Sequence, residues 1–331
     1  MNYDKDKTGW KEISIAEIEG VRIGNAQDEQ AMTGVTVMLF DRPNTGGVDV
    51  SGGGPASRET QLLSPLTNEV ALNALVFSGG SAFGLNASTG VMEYLEQHEM
   101  GYRVLNAVVP LVCQSCIFDL GIGSAFTRPD AKMGYAACVD AERNVPQSGS
   151  VGAGTGATVG KINGITQGQK SGIGYYAVQL GELQVGAVVV LNAYGDIFDE
   201  KTGQKIAGML NSERTAFVSG EAELCRRQVF GAAGANTTLG AIITNGAFGQ
   251  AEMNKIASMA RAAFCRCIKP AGTMIDGDMI YAISVGEVEA NINLVGTLAA
   301  TVLSRAIRDA VTSSVMPEPV FLEKIQQAKV K

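Results

Sequence analysis

Apolar positions in this chain gather in short continuous runs, separated by glycine-rich turns, with a few longer stretches at helical spacing. Gly34–Phe40, Ala74–Ser78, Val185–Leu191, Thr237–Asn245 and Met279–Val285 are rich in β-branched or apolar residues over a strand's length and predict buried strands. Val104–Val112 and Ile117–Leu120 are also strand-like. Phe83, Ala87, Val91, Tyr94 and Leu95 recur near the 3.6-residue period, which predicts a helix running from the Gly79-Gly80-Ser81 turn to about Met100. Gln250–Cys267 puts Ile256, Met259, Ala260, Ala263 and Cys267 on one face, and Ile292–Val311 reads as another long helix. Glu200–Val218 and Glu221–Val229 read as surface helices, and the tail after Thr312 as peripheral. Strands and helices mix without strict βαβ alternation, which predicts a layered α+β or α/β sandwich. No repeat or linker divides residues 1–331, so a single domain is expected.

Composition narrows the function. Glycine supplies 41 of 331 residues, in short clusters between apolar runs, where backbones turn tightly or approach closely. The formal charge of −7 comes without a basic block, which argues against nucleic acid. No apolar run approaches the roughly 18 residues of a membrane span. The polar first ten residues show no signal-like segment, so a cytoplasmic location is expected. Cys113-Gln-Ser-Cys116 has the spacing of a redox or zinc pair. It stands alone in an apolar stretch, however, and all six cysteines are expected as buried free thiols. The one histidine, His98, lies at the polar end of a predicted helix, so a hydrolase built on this chain needs a different general base.

Two nucleotide patterns fail. Gly152-Ala-Gly154-Thr-Gly-Ala157 fits the loose dinucleotide signature but has no acid about 20 residues on. Gly156–Lys161 ends like a phosphate loop, yet its glycines are too close and Ile162 stands where a hydroxyl is required.

A threonine hydroxyl can be activated by its own α-amine when it heads a chain, and that amine titrates near 7.7–8.0. Asn236-Thr237 lies between the small-residue stretch Ala232–Ala235 and a predicted strand. Attack of Thr237 Oγ1 on the Asn236 carbonyl, followed by hydrolysis of the resulting ester, would create such an N-terminus. On its own the dipeptide reads as an ordinary strand start. Asp276-Gly-Asp278, before another strand, is a pair of carboxylates able to reach one centre, or a solvated turn. The strand–glycine–helix junction at Ser78–Ser81 offers backbone N–H groups to an oxyanion, or simply packs tightly.

Gly234–Asn245 with Asp276-Gly-Asp278 resembles the DmpA-like family of L-aminopeptidase/D-amidase-esterases, β-peptidyl aminopeptidases and nylon-oligomer hydrolases. Gly52–Thr60, Ser78–Leu85, Ile117–Leu120, Arg128–Ala137 and Gly152–Lys161 resemble its shared blocks in the same order. The resemblance implies a four-layer αββα sandwich of the DmpA/ornithine acetyltransferase type. It implies autocleavage between Asn236 and Thr237, giving fragments 1–236 and 237–331, and assembly of these pairs into homo-oligomers, often tetramers of pairs. Thr237 is then the nucleophile, with Asp276 and Asp278 orienting it in the Asp-Gly-Asp pattern of the nylon-oligomer hydrolases. Asn192 matches the oxyanion asparagine, or else forms a turn before Tyr194-Gly195. Lys161 matches a lysine near the site, or else is a loop cation. The block around Cys113–Cys116 departs from the family's small residues, which would alter one pocket wall. The expected activity is hydrolysis of a small peptide or amide, including β-peptides or ω-amino-acid oligomers, through an acyl-enzyme on Thr237 with no metal or organic cofactor. The alternatives are acyl transfer of the ornithine acetyltransferase type, separable by adding ornithine, and an uncleaved small-molecule binding protein.

Overall fold

Period-two alternation of apolar residues on the central strands decides the layering, because both faces of these strands are apolar. In Leu183–Asn192, Val185, Ala187, Val189 and Leu191 pack into one core, while Val188 and Val190 point the other way into a second. The same alternation puts Leu239, Ala241 and Ile243 on one side of Thr237–Gly246 and Ile242 on the other. A strand buried on both faces needs a cover on each. The computed structural model, which describes residues 9–227 and 236–328, supplies both covers.

A six-stranded sheet runs in the order Lys11–Ile13, Ile173–Leu180, Leu183–Asn192, Thr237–Gly246, Met279–Val288 and Thr45–Val50. All neighbours are antiparallel except Thr237–Gly246 with Met279–Val288. Helices Gln250–Ala260 and Ala262–Cys267 lie between those two strands in sequence, as a parallel crossover requires. Together with Ile292–Thr312 they cover one face of the sheet. The opposite face meets a five-stranded sheet ordered Val21–Asp28, Thr33–Phe40, Ala74–Ser78, Val112–Cys116 and Ser57–Arg58. Ser115 and Tyr281 join the two sheets through buried hydroxyls 2.6 Å apart. Helices Ala87–Gln97 and Ala131–Ala141 close the far side, so the layers run αββα.

Close packing of helix on sheet is written in two glycines. A Cβ on Gly174 would lie 2.1 Å from the Ala306 carbonyl oxygen, and one on Gly24 2.2 Å from that of Ala137. At both points a helix backbone rests directly on a strand.

Several expectations change. Glu200–Val218 is not a helix; it carries the strand Lys205–Ala207, paired with Asp196–Phe198 through a turn in which Gly203 takes φ 68°. Ile117–Leu120 leaves the sheet and runs as coil, while Val104–Val112 divides into a small hairpin and the start of the strand Val112–Cys116. Residues Ser81–Asn86 form a 3₁₀ turn ahead of Ala87–Gln97, and Phe83 is exposed under Arg128 rather than in the core. Past Thr312, Glu318–Gln327 is a helix anchored by buried Phe321 and Ile325. Cys225 and Cys265 are exposed, while the other four cysteines are buried, and all six are free. The helix predicted at Glu221–Val229 is seen as Gly220–Arg227; its end and the stretch Ala232–Ala235 lie outside the described residues. Among the described residues no helix is long and apolar enough to cross a membrane.

Candidate active site

Thr237 is the first residue of its strand and is 4% exposed. By alternation it shares a face with Leu239, Ala241 and Ile243, so its side chain points between the two sheets. The antiparallel register sets it opposite Asn192, the last residue of Leu183–Asn192. On its other side a parallel bridge joins Asn236 to Asp276. The hydroxyl of Thr237 donates to the Asn236 carbonyl oxygen at 2.5 Å, and the Gly277 N–H donates to that same oxygen at 2.9 Å. The nucleophile candidate thus already touches the carbonyl it would attack.

The Asp276-Gly-Asp278 loop needs its glycine here: a Cβ on Gly277 would stand 2.6 Å from Thr237 Oγ1 and 2.9 Å from the Gly54 carbonyl oxygen. The glycine run Gly52–Gly54 braces this loop from behind. Ser51 and Gly52 N–H groups donate to the Asp278 carbonyl at 3.0 Å, and the Gly54 N–H donates to that of Asp276 at 2.9 Å. Only glycine fits at position 52, where a Cβ would fall 2.3 Å from the Asp278 nitrogen.

Neither carboxylate is hydrogen-bonded to Thr237 Oγ1; Asp278 grips the backbone next to it, while Asp276 ties together its own loop. Asp278 accepts from the Thr238 N–H at 2.7 Å and the Gly272 N–H at 2.9 Å. Asp276 accepts from the Thr273 N–H at 3.0 Å and the Thr273 hydroxyl at 2.5 Å. Burial raises the pKa of Asp276 and, with the nearby charge of Asp276, pushes Asp278 up to about 7.

Lys161 and Asn192 form a single unit. The Lys161 ammonium donates to Asn192 Oδ1 at 2.7 Å and to the Asn192 carbonyl at 3.3 Å. Thr158 also donates to Oδ1, from N–H at 3.1 Å and hydroxyl at 3.3 Å. The Asn192 amide nitrogen donates to the Phe118 carbonyl at 3.1 Å, which leaves its second N–H for another acceptor. Lys161 is therefore a buried cation and Asn192 a fixed strand end; neither is a solvated loop residue. Burial pulls Lys161 down to about 7, opposed by the charges of Asp276, Asp119 and Asp278.

Two further ionisable groups join this cluster to which the sequence reading gave no role, although Asp119 lies in the block Ile117–Leu120. Asp119, 4% exposed, accepts from the Gly80 N–H at 2.7 Å and the Thr33 hydroxyl at 2.6 Å; burial raises it to about 6. It thereby fastens the Ser78–Ser81 turn, whose Ser81 adopts φ 53°. Lys170 holds the carbonyls of Gly154, Ala157 and Ser171, and so fixes the glycine-rich block. Cys113 and Cys116 alternate across a buried strand, and burial pushes both thiols up to about 12, which silences them as nucleophiles. Cys116 does form part of the wall of a cleft of about 240 Å³ that opens onto Thr237.

A buried threonine heading a strand between two sheets, flanked by an amide, a lysine and paired carboxylates, on an αββα frame, is the architecture of amide hydrolases with the Ntn-hydrolase fold. The chain belongs to peptidase family S58, which matches residues 14–319. It is 36% identical over 299 residues to an uncharacterized aminopeptidase of Mycobacterium leprae, covering 84% of this chain and 80% of that protein. It is 30% identical over 284 residues to the 6-aminohexanoate-oligomer endohydrolase of an Agromyces species, covering 84% and 77%. Among solved structures, a Burkholderia β-aminopeptidase superposes with a TM-score of 0.63 at 18% identity, covering 96% of this chain and 94% of that one. The L-aminopeptidase D-Ala-esterase/amidase of Ochrobactrum anthropi gives 0.63 at 14%, with the same coverage. The protein is thus a hydrolase acting on amide bonds.

Proposed function

We propose that this chain is a self-processing aminopeptidase-type amide hydrolase whose nucleophile and base are the hydroxyl and α-amine of Thr237. The observation that carries the reading is the contact between Thr237 Oγ1 and the Asn236 carbonyl, at a strand start held on both sides. In the precursor, Oγ1 attacks the Asn236 carbonyl carbon and its proton passes into the buried cluster of Lys161 and carboxylates. The C–N bond breaks as the nitrogen takes up a proton, which leaves an ester on Oγ1. Water hydrolyses that ester, Asn236 leaves with a carboxylate, and Thr237 keeps a free amine.

In turnover the Thr237 amine takes the hydroxyl proton while Oγ1 attacks the substrate carbonyl. It returns that proton to the leaving amine, and water then releases the acid. The free N–H of Asn192, its amide polarised by Lys161, is the proposed oxyanion donor, a role worth roughly 3 kcal/mol. Asp278 acts as a positioning residue through the Thr238 N–H, and Asp276 by holding the loop whose backbone bridges Asn236. Substrates are small peptides or amides, and β-peptides and ω-amino-acid oligomers fall within the same chemistry.

Processing would divide one domain into fragments 1–236 and 237–331, which assemble as homo-oligomers of pairs, tetramers of pairs by resemblance. Six free thiols suit a reducing compartment, in keeping with a cytoplasmic location. Intact mass under denaturing conditions, with N-terminal sequencing of the lighter fragment, tests the reading. A fragment starting at Thr237 supports it; a single 34.5 kDa species after long incubation refutes self-processing.

A further inference from the structure

In a strand, the C=O of one residue and the N–H of the residue two further on point to the same edge. The Thr238 N–H turns toward Asp278 at 2.7 Å, and the Asn236 carbonyl oxygen turns the same way, toward Gly277 at 2.9 Å. Leu183–Asn192 lies along the opposite edge, where Asn192 pairs with Thr237. The oxygen of the bond to be cut therefore faces away from the strand that ends in Asn192. The Asn192 side chain is itself engaged elsewhere: its oxygen accepts from Lys161 and Thr158, and its nitrogen donates to the Phe118 carbonyl.

What meets the Asn236 oxygen is a peptide group bonded at both of its ends. Its N–H, that of Gly277, donates to Asn236; its carbonyl, that of Asp276, accepts from the Gly54 N–H at 2.9 Å. Hydrogen bonds in series through one peptide polarise each other, by about 10–30% per bond, so Gly54 makes the Gly277 N–H a stronger donor. The loop is also fixed on either side of this peptide. Ser51 and Gly52 hold the Asp278 carbonyl at 3.0 Å, and the Asp276 N–H donates to the Thr273 carbonyl at 3.1 Å. The aim of the donor is thus set before any bond changes, which is what stabilisation of a developing negative charge requires. Glycine at 277 leaves room for the attacking group as well, since a Cβ there would stand 2.6 Å from Thr237 Oγ1.

We propose that the Gly277 N–H is the oxyanion donor of the self-cleavage step. The proposal rests on the reading of Thr237 as the self-processing nucleophile. As Oγ1 bonds to the Asn236 carbonyl carbon, the second electron pair of the C=O moves onto its oxygen, and the Oγ1 proton passes into the buried cluster. The Gly277 N–H keeps its own proton, and its bond strengthens as that oxygen becomes anionic. Collapse returns the pair to the carbon, the C–N bond breaks, and the Thr237 nitrogen departs with the bonding pair and takes up a proton. The Asn236 acyl group is then an ester on Oγ1.

The test replaces Gly277 by glycolic acid in the full-length chain, through nonsense suppression, which exchanges the N–H for an ester oxygen and adds no bulk. Glycolic acid at position 52 is the matched control. It removes a bond of the same loop, Gly52 N–H to the Asp278 carbonyl, that does not touch the bond to be cut. Appearance of fragment 237–331 is followed by intact mass, and urea melts establish that both esters fold cooperatively. Loss of one oxyanion donor is expected to slow cutting about 100-fold at position 277, against a few-fold at position 52. Cutting at the wild-type rate with the ester at 277, or equal slowing at the two positions, overturns the proposal. Hydrogen exchange on the uncut Thr237→Ala chain reads the same bond without the ester: strong protection of the Gly277 amide is expected, and exchange at the rate of an open chain overturns the proposal. A wild-type chain that never cuts removes the self-processing reading and this proposal with it; a wild-type chain that cuts, beside a 277 ester that cuts equally fast, removes the proposal alone.

Discussion

Replacing Gly277 by alanine would test whether the placement of Thr237 is set by the loop beside it. The new methyl would fall 2.6 Å from Thr237 Oγ1 and 2.9 Å from the Gly54 carbonyl oxygen; real Cβ atoms essentially never come closer than 3.0 Å. About 0.4 Å of movement is the least that relieves the first contact. Two escapes exist. The threonine can rotate about χ1, which swings Oγ1 off the Asn236 carbonyl, or the Asp276–Asp278 loop can shift, which the backbone of Gly54 blocks. Either way the attacking oxygen leaves its position, and a displacement approaching 1 Å can cost about 100-fold. Overpacking of this size also lowers stability by about 1–3 kcal/mol. The assay is the time course of fragment appearance by intact mass, run beside a urea melt. Gly249→Ala is the control, since a Cβ there meets nothing nearer than Glu252 Oε2 at 3.8 Å. Expected are a 10- to 100-fold slower appearance of fragment 237–331 for Gly277→Ala and wild-type behaviour for the control. Gly277→Ala processing at the wild-type rate would refute the idea that this loop positions the nucleophile.

Other substitutions probe the remaining groups. Thr237→Ala should leave one full-length chain, seen by mass, because no oxygen remains to attack Asn236. Lys161→Met keeps the bulk but removes the charge on Asn192, and turnover is expected to fall about 100-fold, read as kcat with KM little changed. The folded pKa of Asp278, about 7, lies above the ordinary carboxyl value. Its contribution to stability is therefore present below about pH 4 and lost as pH rises to 7. The stability advantage of the wild type over Asp278→Asn should thus shrink from pH 4 to pH 7 in urea melts, and parallel curves would contradict the assignment. Gly174→Ala drives a methyl onto the Ala306 carbonyl at 2.1 Å and is expected to cost about 3 kcal/mol in the same melts.

The central strands were legible because burial on both faces leaves a continuous apolar run, and Leu183–Asn192, Thr237–Gly246 and Met279–Val288 fall close to their predicted limits. Glu200–Val218 misled because its charged residues resemble a helix surface; the informative feature was Gly203, which closes a hairpin turn instead. Asp130 after Pro129 caps the helix Ala131–Ala141 through the Met133 N–H, a start signal that the spacing of apolar residues did not reveal. The bringing together of Thr237, Asp276, Asp278, Asn192 and Lys161 was available only through resemblance, since local pattern says nothing about which loops converge. Asp119 shows why even a buried acid stays hidden: its partners are Thr33, far upstream, and a turn N–H at Gly80. Nothing near Asp119 in sequence announces either contact.

The order of strands in the six-stranded sheet carries a consequence for the life history of the protein. Thr237–Gly246 and Met279–Val288, both downstream of the proposed cut, are neighbours, with Leu183–Asn192 outside one and Thr45–Val50 outside the other. The shorter piece would thus be clasped on both edges by the longer one. Two ladders would have to tear before the pieces could part, so a cut protein would persist as one body. Once melted, its halves would have to find each other by collision, and recovery of the fold would depend on protein concentration. A chain that folds alone before the cut would need its partner afterwards; processing would then act as a ratchet, turning a reversible fold into one that dilution erases.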